Sequence, residues 1–415
     1  MDNYQENLAQ IVDKVGTPTF IYDEQTLNRN VRRISINAEH NGLGERLTPF
    51  IAYFCNSNPH LFRILTNHRI GILLQSACES EYEQLRSFGV QADLMVSPSV
   101  LSDEEIDAWV DRGVHMNITS SSEVEYMLTN HADVPLNFRL DLSKGVKKKR
   151  NGIKRNELAY LSKRLHEKKV HPHSIHVYLG TESTLDEMVA GLDEIFLTQQ
   201  QYFPDVETIN LGGGFGFDYE KKESEAKHFA WNEYFAALRA KIIANRVRED
   251  MRFIIEPGRD VFADVGQLLM RIKRLTAHTR KEVNVNVNGS YVLMPSAMMR
   301  KRQHRTVFLD KSFNELPVSE RRGFLSGATT LSSDYVYPGS IPIPEQLSPG
   351  EYVLVKDVGA YAATQHMEFL NQPPPAEVLV NELQQLQVIT ERGPADDKVR
   401  HVLQEPVLIN QYIKK

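Results

Sequence analysis

Cysteine is almost missing: Cys55 and Cys78 are the only two in 415 residues. That is too few for a disulfide framework, and their spacing does not suit a metal knot. No apolar run approaches the ~20 residues that cross a bilayer, so a membrane protein is not expected. The opening stretch, MDNYQENLAQIVDKVG, is acidic and polar and holds no apolar signal core. Export is therefore unexpected, and the cytoplasm is the expected location. Nucleophile elbows (Gly-x-Ser-x-Gly), P-loops and His-Glu-x-x-His helices do not occur. His171, His173 and His176 lie close in sequence, but along a strand they would not share one face, so no metal site is expected. A formal charge of −6 argues against nucleic acid as a main partner. The one basic run, Lys147 to Arg150, reads as a solvated loop.

What is present reads as a soluble globular chain, 41% hydrophobic and 25% charged, long enough for two domains and a large core. Apolar runs and breakers alternate in a strand–helix rhythm from about residue 48 to residue 256. Strands are expected at 48–54, 70–75, 93–96, 114–118, 135–141, 173–178, 206–211 and 252–256. Helices are expected between them at 102–112, 153–168, 184–201 and 226–245, the first opened by Ser102 and three acidic residues that suit a helix start. Eight strands separated by helices is the count of a (β/α)8 TIM barrel, although a doubly wound sheet also alternates. After about residue 260 the pattern turns β-rich, with pieces at Val283–Val287, Gln303–Leu309, Glu351–Val355 and Ala376–Leu379. The expected fold is thus an α/β barrel over 30–262 plus a mostly-β domain from 263–415, completed by the N-terminal residues 1–29 with their Thr19–Tyr22 strand.

Barrels place chemistry at the C-terminal ends of their strands. Phe54 and Asn56 fall at the end of the first expected strand, and Ser76 and Glu79 follow the second. Arg139 falls at the end of the fifth and Tyr178 at the end of the sixth. Gly212, Gly213 and Gly214 follow the seventh, where a glycine turn lets backbone N–H groups approach a phosphate, or simply makes a tight turn. Glu256-Pro257-Gly258-Arg259 follows the eighth, offering a carboxylate for a protonated ring nitrogen and a guanidinium for phosphate. Its structural alternative is that Glu256 and Arg259 pair with other side chains and only hold the strand end.

These motifs resemble those of the pyridoxal-phosphate decarboxylases of the alanine-racemase fold type (fold type III), which include the diaminopimelate, ornithine and carboxynorspermidine enzymes. Gly16 to Asp23 resembles the family opening, Ile51 to Asn58 its Tyr-Ala-x-Lys-Ala-Asn-Ser-Asn strand end, and Glu256 to Arg259 its Glu-Pro-Gly-Arg. Asp357 to Tyr361 and Pro373 to Leu379 resemble its last two motifs, so the likeness runs from about residue 16 to residue 380. It implies cofactor contacts from Arg139, Tyr178, Thr181, Gly212, Gly213, Gly214, Glu256, Gly258, Arg259 and Tyr361. It also implies a homodimer with sites at the subunit interface.

The departures fall on the chemistry. Phe54 stands where the family's lysine holds the cofactor as a Schiff base, and a phenyl ring cannot form one. Thr330 stands for the catalytic cysteine, Leu331 and Leu73 for acidic residues, and Tyr178 for the histidine that stacks on the ring. Covalent pyridoxal phosphate is therefore not expected. Non-covalent pyridoxal phosphate, pyridoxamine phosphate or another phosphorylated ligand is compatible with what remains. The leading expectation is a pseudoenzyme or regulatory protein. An enzyme with altered chemistry, or a scaffold subunit of an active paralogue, is the alternative.

Overall fold

The computed structural model describes residues 2–75, 79–142, 151–221, 227–278 and 282–394. Ser76, Cys78 and the basic run Lys147 to Arg150 lie outside the described residues. The chain divides into two compact units: Asp23–Val265 with Gly359–Thr364, and Met1–Tyr22, Gly266–Val358 and Gln365–Lys415.

The first unit is a closed parallel barrel. Its strands are β1 (Leu47–Ala52), β2 (Gly71–Leu74), β3 (Asp93–Val96), β4 (His115–Ile118), β5 (Asn137–Asp141), β6 (Ser174–Val177), β7 (Thr208–Asn210) and β8 (Arg252–Ile255). Each pairs in parallel with the next, and β8 pairs back onto β1 through Phe253 and Leu47. Closure leaves no exposed edge. The strands read as short, nearly continuous apolar runs because both faces are covered: Ile51, Ile72, Val96, Phe138, Ile175, Ile209 and Phe253 are all fully buried. Helices start where the sequence supplies caps. Ser102 with Glu105, Ser120 with Glu123 and Thr184 with Glu187 each form a reciprocal capping box. Among the described residues, no helix is long and apolar enough to cross a membrane.

Most expected element ends shift by one to five residues, and Tyr178 lies just past the strand Ser174–Val177. The first strand ends at Ala52, and Phe54 sits in the 3-10 turn Tyr53–Cys55 that follows it. Arg139 lies inside β5 rather than at its end. The second unit is a mostly-β sheet in which Thr19–Asp23 pairs antiparallel with Gly266–Ala277. The helix Asp2–Val15, unforeseen in the polar opening, buries Leu8 and Ile11 on the Ile21, Leu269 and Leu354 cluster.

A charged network is buried behind the last barrel strand. Asp260, fully inaccessible, accepts from Trp231 Nε1 and the Phe229 N–H (both 2.7 Å) and from Arg33 (2.9 Å). His228 bridges it to Asp264, with Nδ1 3.0 Å from Asp260 and Nε2 3.1 Å from Asp264. Burial alone would lower the His228 pKa, but the two carboxylates outweigh it and hold the imidazole above its ordinary value. A raised folded-state pKa stabilises below the unfolded value of about 6.5, and that contribution is lost as pH rises through the folded value. Thermal stability should therefore decline as pH rises above neutrality. In His228→Gln, thermal scans across pH should lose that slope, and a slope identical to wild type would contradict the assignment.

Candidate functional site

One cavity of about 160 Å³ opens among the C-terminal ends of the barrel strands. Phe54, Arg139, Tyr178, Thr181, Gly213, Gly214, Glu256, Gly258, Arg259 and Tyr361 all line it. Gly212 lies behind the wall: its N–H donates to Asn210 Oδ1 (2.9 Å) and its carbonyl accepts from the Glu256 N–H (2.8 Å). Thr330 belongs to the β-rich unit, exposed on a turn where Asp334 accepts from the Thr329 and Tyr291 N–H groups (2.8 and 3.0 Å).

The glycine run is required by the fold before any ligand is considered. Gly212 and Gly214 hold left-handed φ of 71° and 108°. A Cβ on either would overlap a backbone carbonyl, that of Val177 or Gly180, and one on Gly213 would come 2.6 Å from the Glu256 carbonyl. The glycines are thus explained by the loop packing onto the ends of β6 and β8. The ligand argument rests instead on donors: the N–H groups of Gly213 and Gly214 find no acceptor among the described residues. Both glycines line the cavity, and a backbone donor without a partner in the chain is completed by water or by an acceptor from outside.

Glu256 sits on the cavity floor, 7% exposed, with Oε1 accepting from Asn210 Nδ2 at 2.8 Å. Its Oε2 lies 3.4 Å from Nε2 of buried His176, an ion-pair distance rather than a tight hydrogen bond. Burial would raise the carboxyl pKa, but His176, Asn210 and Arg139 together hold it below the usual carboxylate range. The floor therefore carries a fixed negative charge.

Arg259 also lines the cavity and is buried. Its Nη1 donates to the Tyr219 hydroxyl at 3.0 Å, its Nε meets Glu182 Oε1 at 3.1 Å, and its Cζ lies 4.6 Å from the Tyr361 ring centroid. Burial would weaken its charge, but Tyr219, Cys55 and Glu182 keep it firmly cationic. Both charged residues of Glu256-Pro257-Gly258-Arg259 are therefore partnered within the chain as well as facing the cavity. Tyr361, at φ 56°, is anchored by its N–H to the Cys55 carbonyl at 2.8 Å. Burial pushes the Cys55 thiol up to about 12, which leaves it inert as a nucleophile.

The remaining wall is aromatic and apolar. The Phe54 ring lies 6.4 Å from that of Tyr361, and Leu73 lines the same space. Arg139 places its guanidinium 5.2 Å from the Tyr178 ring, whose hydroxyl is 2.7 Å from Thr181 Oγ1. No lysine is among the described lining residues.

Four contributors were not singled out as site residues from the sequence: Asn210, His176, Ser97 and Glu182. His176 and Asn210 point inward from β6 and β7, a position that strand alternation could have assigned. Glu182 follows Thr181 on a loop, and nothing local marks it as the partner of Arg259. The three clustered histidines do not share a site. His171 and His173 face Asp205 and Glu207, while His176 faces Glu256.

The family described as pyridoxal-dependent decarboxylase, pyridoxal binding domain, matches residues 28–263. Diaminopimelate decarboxylase of Methanothermobacter thermautotrophicus is 24% identical over 410 residues, covering 94% of this chain and 93% of the relative. L-glutamyl-[BtrI acyl-carrier protein] decarboxylase of Niallia circulans is 24% identical over 439 residues, covering 96% and 97%. Among solved structures, M. jannaschii diaminopimelate decarboxylase in complex with L-lysine superposes with a TM-score of 0.81 at 19% identity, covering 98% of this chain and 95% of that one. The closed barrel, the mostly-β second unit and the family match over more than half the sequence lead to one assignment: the chain is a member of the fold-type III, pyridoxal-dependent decarboxylase family.

Proposed function

We propose that this member holds a phosphorylated ring ligand without a covalent link, acts as a ligand-dependent regulatory protein or pseudoenzyme, and does not catalyse lysine-dependent decarboxylation. One observation carries the proposal: Phe54, which the motif likeness sets in place of the family's lysine, lines the cavity, and no described lining residue supplies a primary amine. Without an amine there is no nucleophile for the cofactor's carbonyl carbon and no base at that place.

The surviving wall fits pyridoxal or pyridoxamine phosphate in its non-covalent parts. The N–H groups of Gly213 and Gly214, with Arg259, would take the phosphate. Phe54, Tyr178 and Tyr361 would flank the ring, and Glu256 would accept a hydrogen bond from a protonated ring nitrogen. When bound, such a cofactor supplies an electron sink. The chain's part is to orient it and to keep Glu256 ionised. That ionised carboxylate favours the second reading, an enzyme of altered chemistry on a non-covalent cofactor. Apolar Leu73 and Phe54 disfavour a zwitterionic amino acid in the same space, because its charges would be desolvated without partners.

The curated relatives are named as decarboxylases, so the direct test is carbon dioxide release from diaminopimelate and ornithine with added pyridoxal phosphate. Release at the no-protein rate is expected. Saturable turnover by the purified protein would overturn the proposal.

A further inference from the structure

We propose that Glu182 is a built-in competitor for the phosphate subsite, which holds inorganic phosphate out and admits a phosphorylated ligand only when its ring adds binding energy of its own. This deepens the ligand reading above and rests on it. Two arginines line the cavity among the described residues, Arg139 against the Tyr178 ring and Arg259, and a carboxylate of the chain already occupies Arg259 at 3.1 Å. Its other contacts, the Tyr219 hydroxyl and the Tyr361 ring, cover further sides of the guanidinium. A phosphate oxygen reaching Arg259 must therefore displace the Glu182 carboxylate or share the cation with it, against like-charge repulsion.

The placement of Glu182 suits that role. It precedes Ser183, whose N–H donates to the Gly214 carbonyl at 3.1 Å, so its backbone is tied to the glycine loop that lines the cavity. A Cβ on Gly216 would lie 3.7 Å from the Glu182 Cα, which sets the residue against the loop's flank. The side chain is 29% exposed, so it has a route into water when displaced. Its backbone is left-handed at φ 54°, a conformation costly for a residue with a Cβ and easy for glycine. No local backbone preference accounts for a glutamate here, and its contact with Arg259 supplies a reason.

The test is calorimetric titration of wild type, Glu182→Gln and Glu182→Gly with inorganic phosphate, pyridoxal phosphate and pyridoxal, with circular dichroism as the control for folding. Glu182→Gly suits the left-handed backbone and keeps the test open should Glu182→Gln fold poorly. Both variants are expected to bind inorganic phosphate and pyridoxal phosphate at least about tenfold more tightly than wild type, while pyridoxal changes by less than about twofold. If folded variants bind phosphate equally or more weakly while wild type binds pyridoxal phosphate, Glu182 is no competitor and the ligand reading stands. An equal gain for pyridoxal would make the effect steric and also sink the inference. If no form binds pyridoxal phosphate or phosphate, the ligand reading falls with it.

Discussion

Phe54→Lys is expected to convert a dialysable association with pyridoxal phosphate into a covalent one. The side chain of residue 54 already borders the cavity that Arg259, Gly213 and Glu256 enclose. Its turn is fixed at both ends: the Asn56 N–H donates to Tyr53 at 3.1 Å, and the Ala52 N–H to Pro257 at 3.0 Å. A lysine there would carry its amine into a site walled by Phe215, Leu73 and Tyr361, where desolvation favours the neutral, nucleophilic form. Borohydride reduction followed by peptide mass mapping should find the pyridoxyl mass at position 54 of the variant and none at that position of wild type. If the variant's peptide spanning position 54 stays unmodified under saturating cofactor, the phosphate end does not hold the ligand where the wall suggests.

Asp260→Ala is expected to be the most destabilising single substitution in the barrel unit, by about 3–5 kcal/mol. The deletion strands three donors and a cation in the interior at once. The Trp231 indole and the Phe229 N–H lose their acceptor, Arg33 loses its ion pair at 2.9 Å, and His228 keeps only Asp264. The residue next to it is Arg259, so loosening Asp260 also loosens the cavity wall. Urea denaturation gives the cost directly from the midpoint at unchanged slope. Asp260→Asn, which keeps an acceptor but removes the charge, should fall between wild type and alanine. A loss below about 1 kcal/mol for alanine would mean that water replaces the carboxylate and that the network does not anchor the barrel end.

The same two regions mark what can be read from sequence and what cannot. The barrel was legible because each strand is a short apolar run closed by a polar or glycine motif, and the strand ends converge on one mouth. The family likeness was legible through motifs of four to eight residues, and Phe54 stood out only against that frame. Partners distant in sequence were not legible. Nothing in Thr181-Glu182-Ser183 announces Arg259, and Asp260 reads as a mere neighbour of Arg259, although its partners Arg33 and His228 come from distant segments. The glycine run was legible as a turn, and backbone carbonyls of Val177, Gly180 and Glu256 fill the space that a Cβ would need, which accounts for it by the tight-turn alternative with or without a ligand. The helix Asp2–Val15 was missed because its apolar residues Leu8, Ile11, Val12 and Val15 are sparse among polar ones, and they find their partners on a sheet formed by residues far downstream.

Calorimetric titration of wild-type protein with pyridoxal phosphate, followed by dialysis and by borohydride mapping of all lysines, goes to the root of the matter. Saturable binding at one site per chain, lost on dialysis and leaving no lysine stoichiometrically modified, is the outcome expected of a cavity that keeps its donors and lacks its amine. A stoichiometric pyridoxyl mass on any lysine that survives dialysis would contradict it, because some other residue would then be doing what Phe54 cannot.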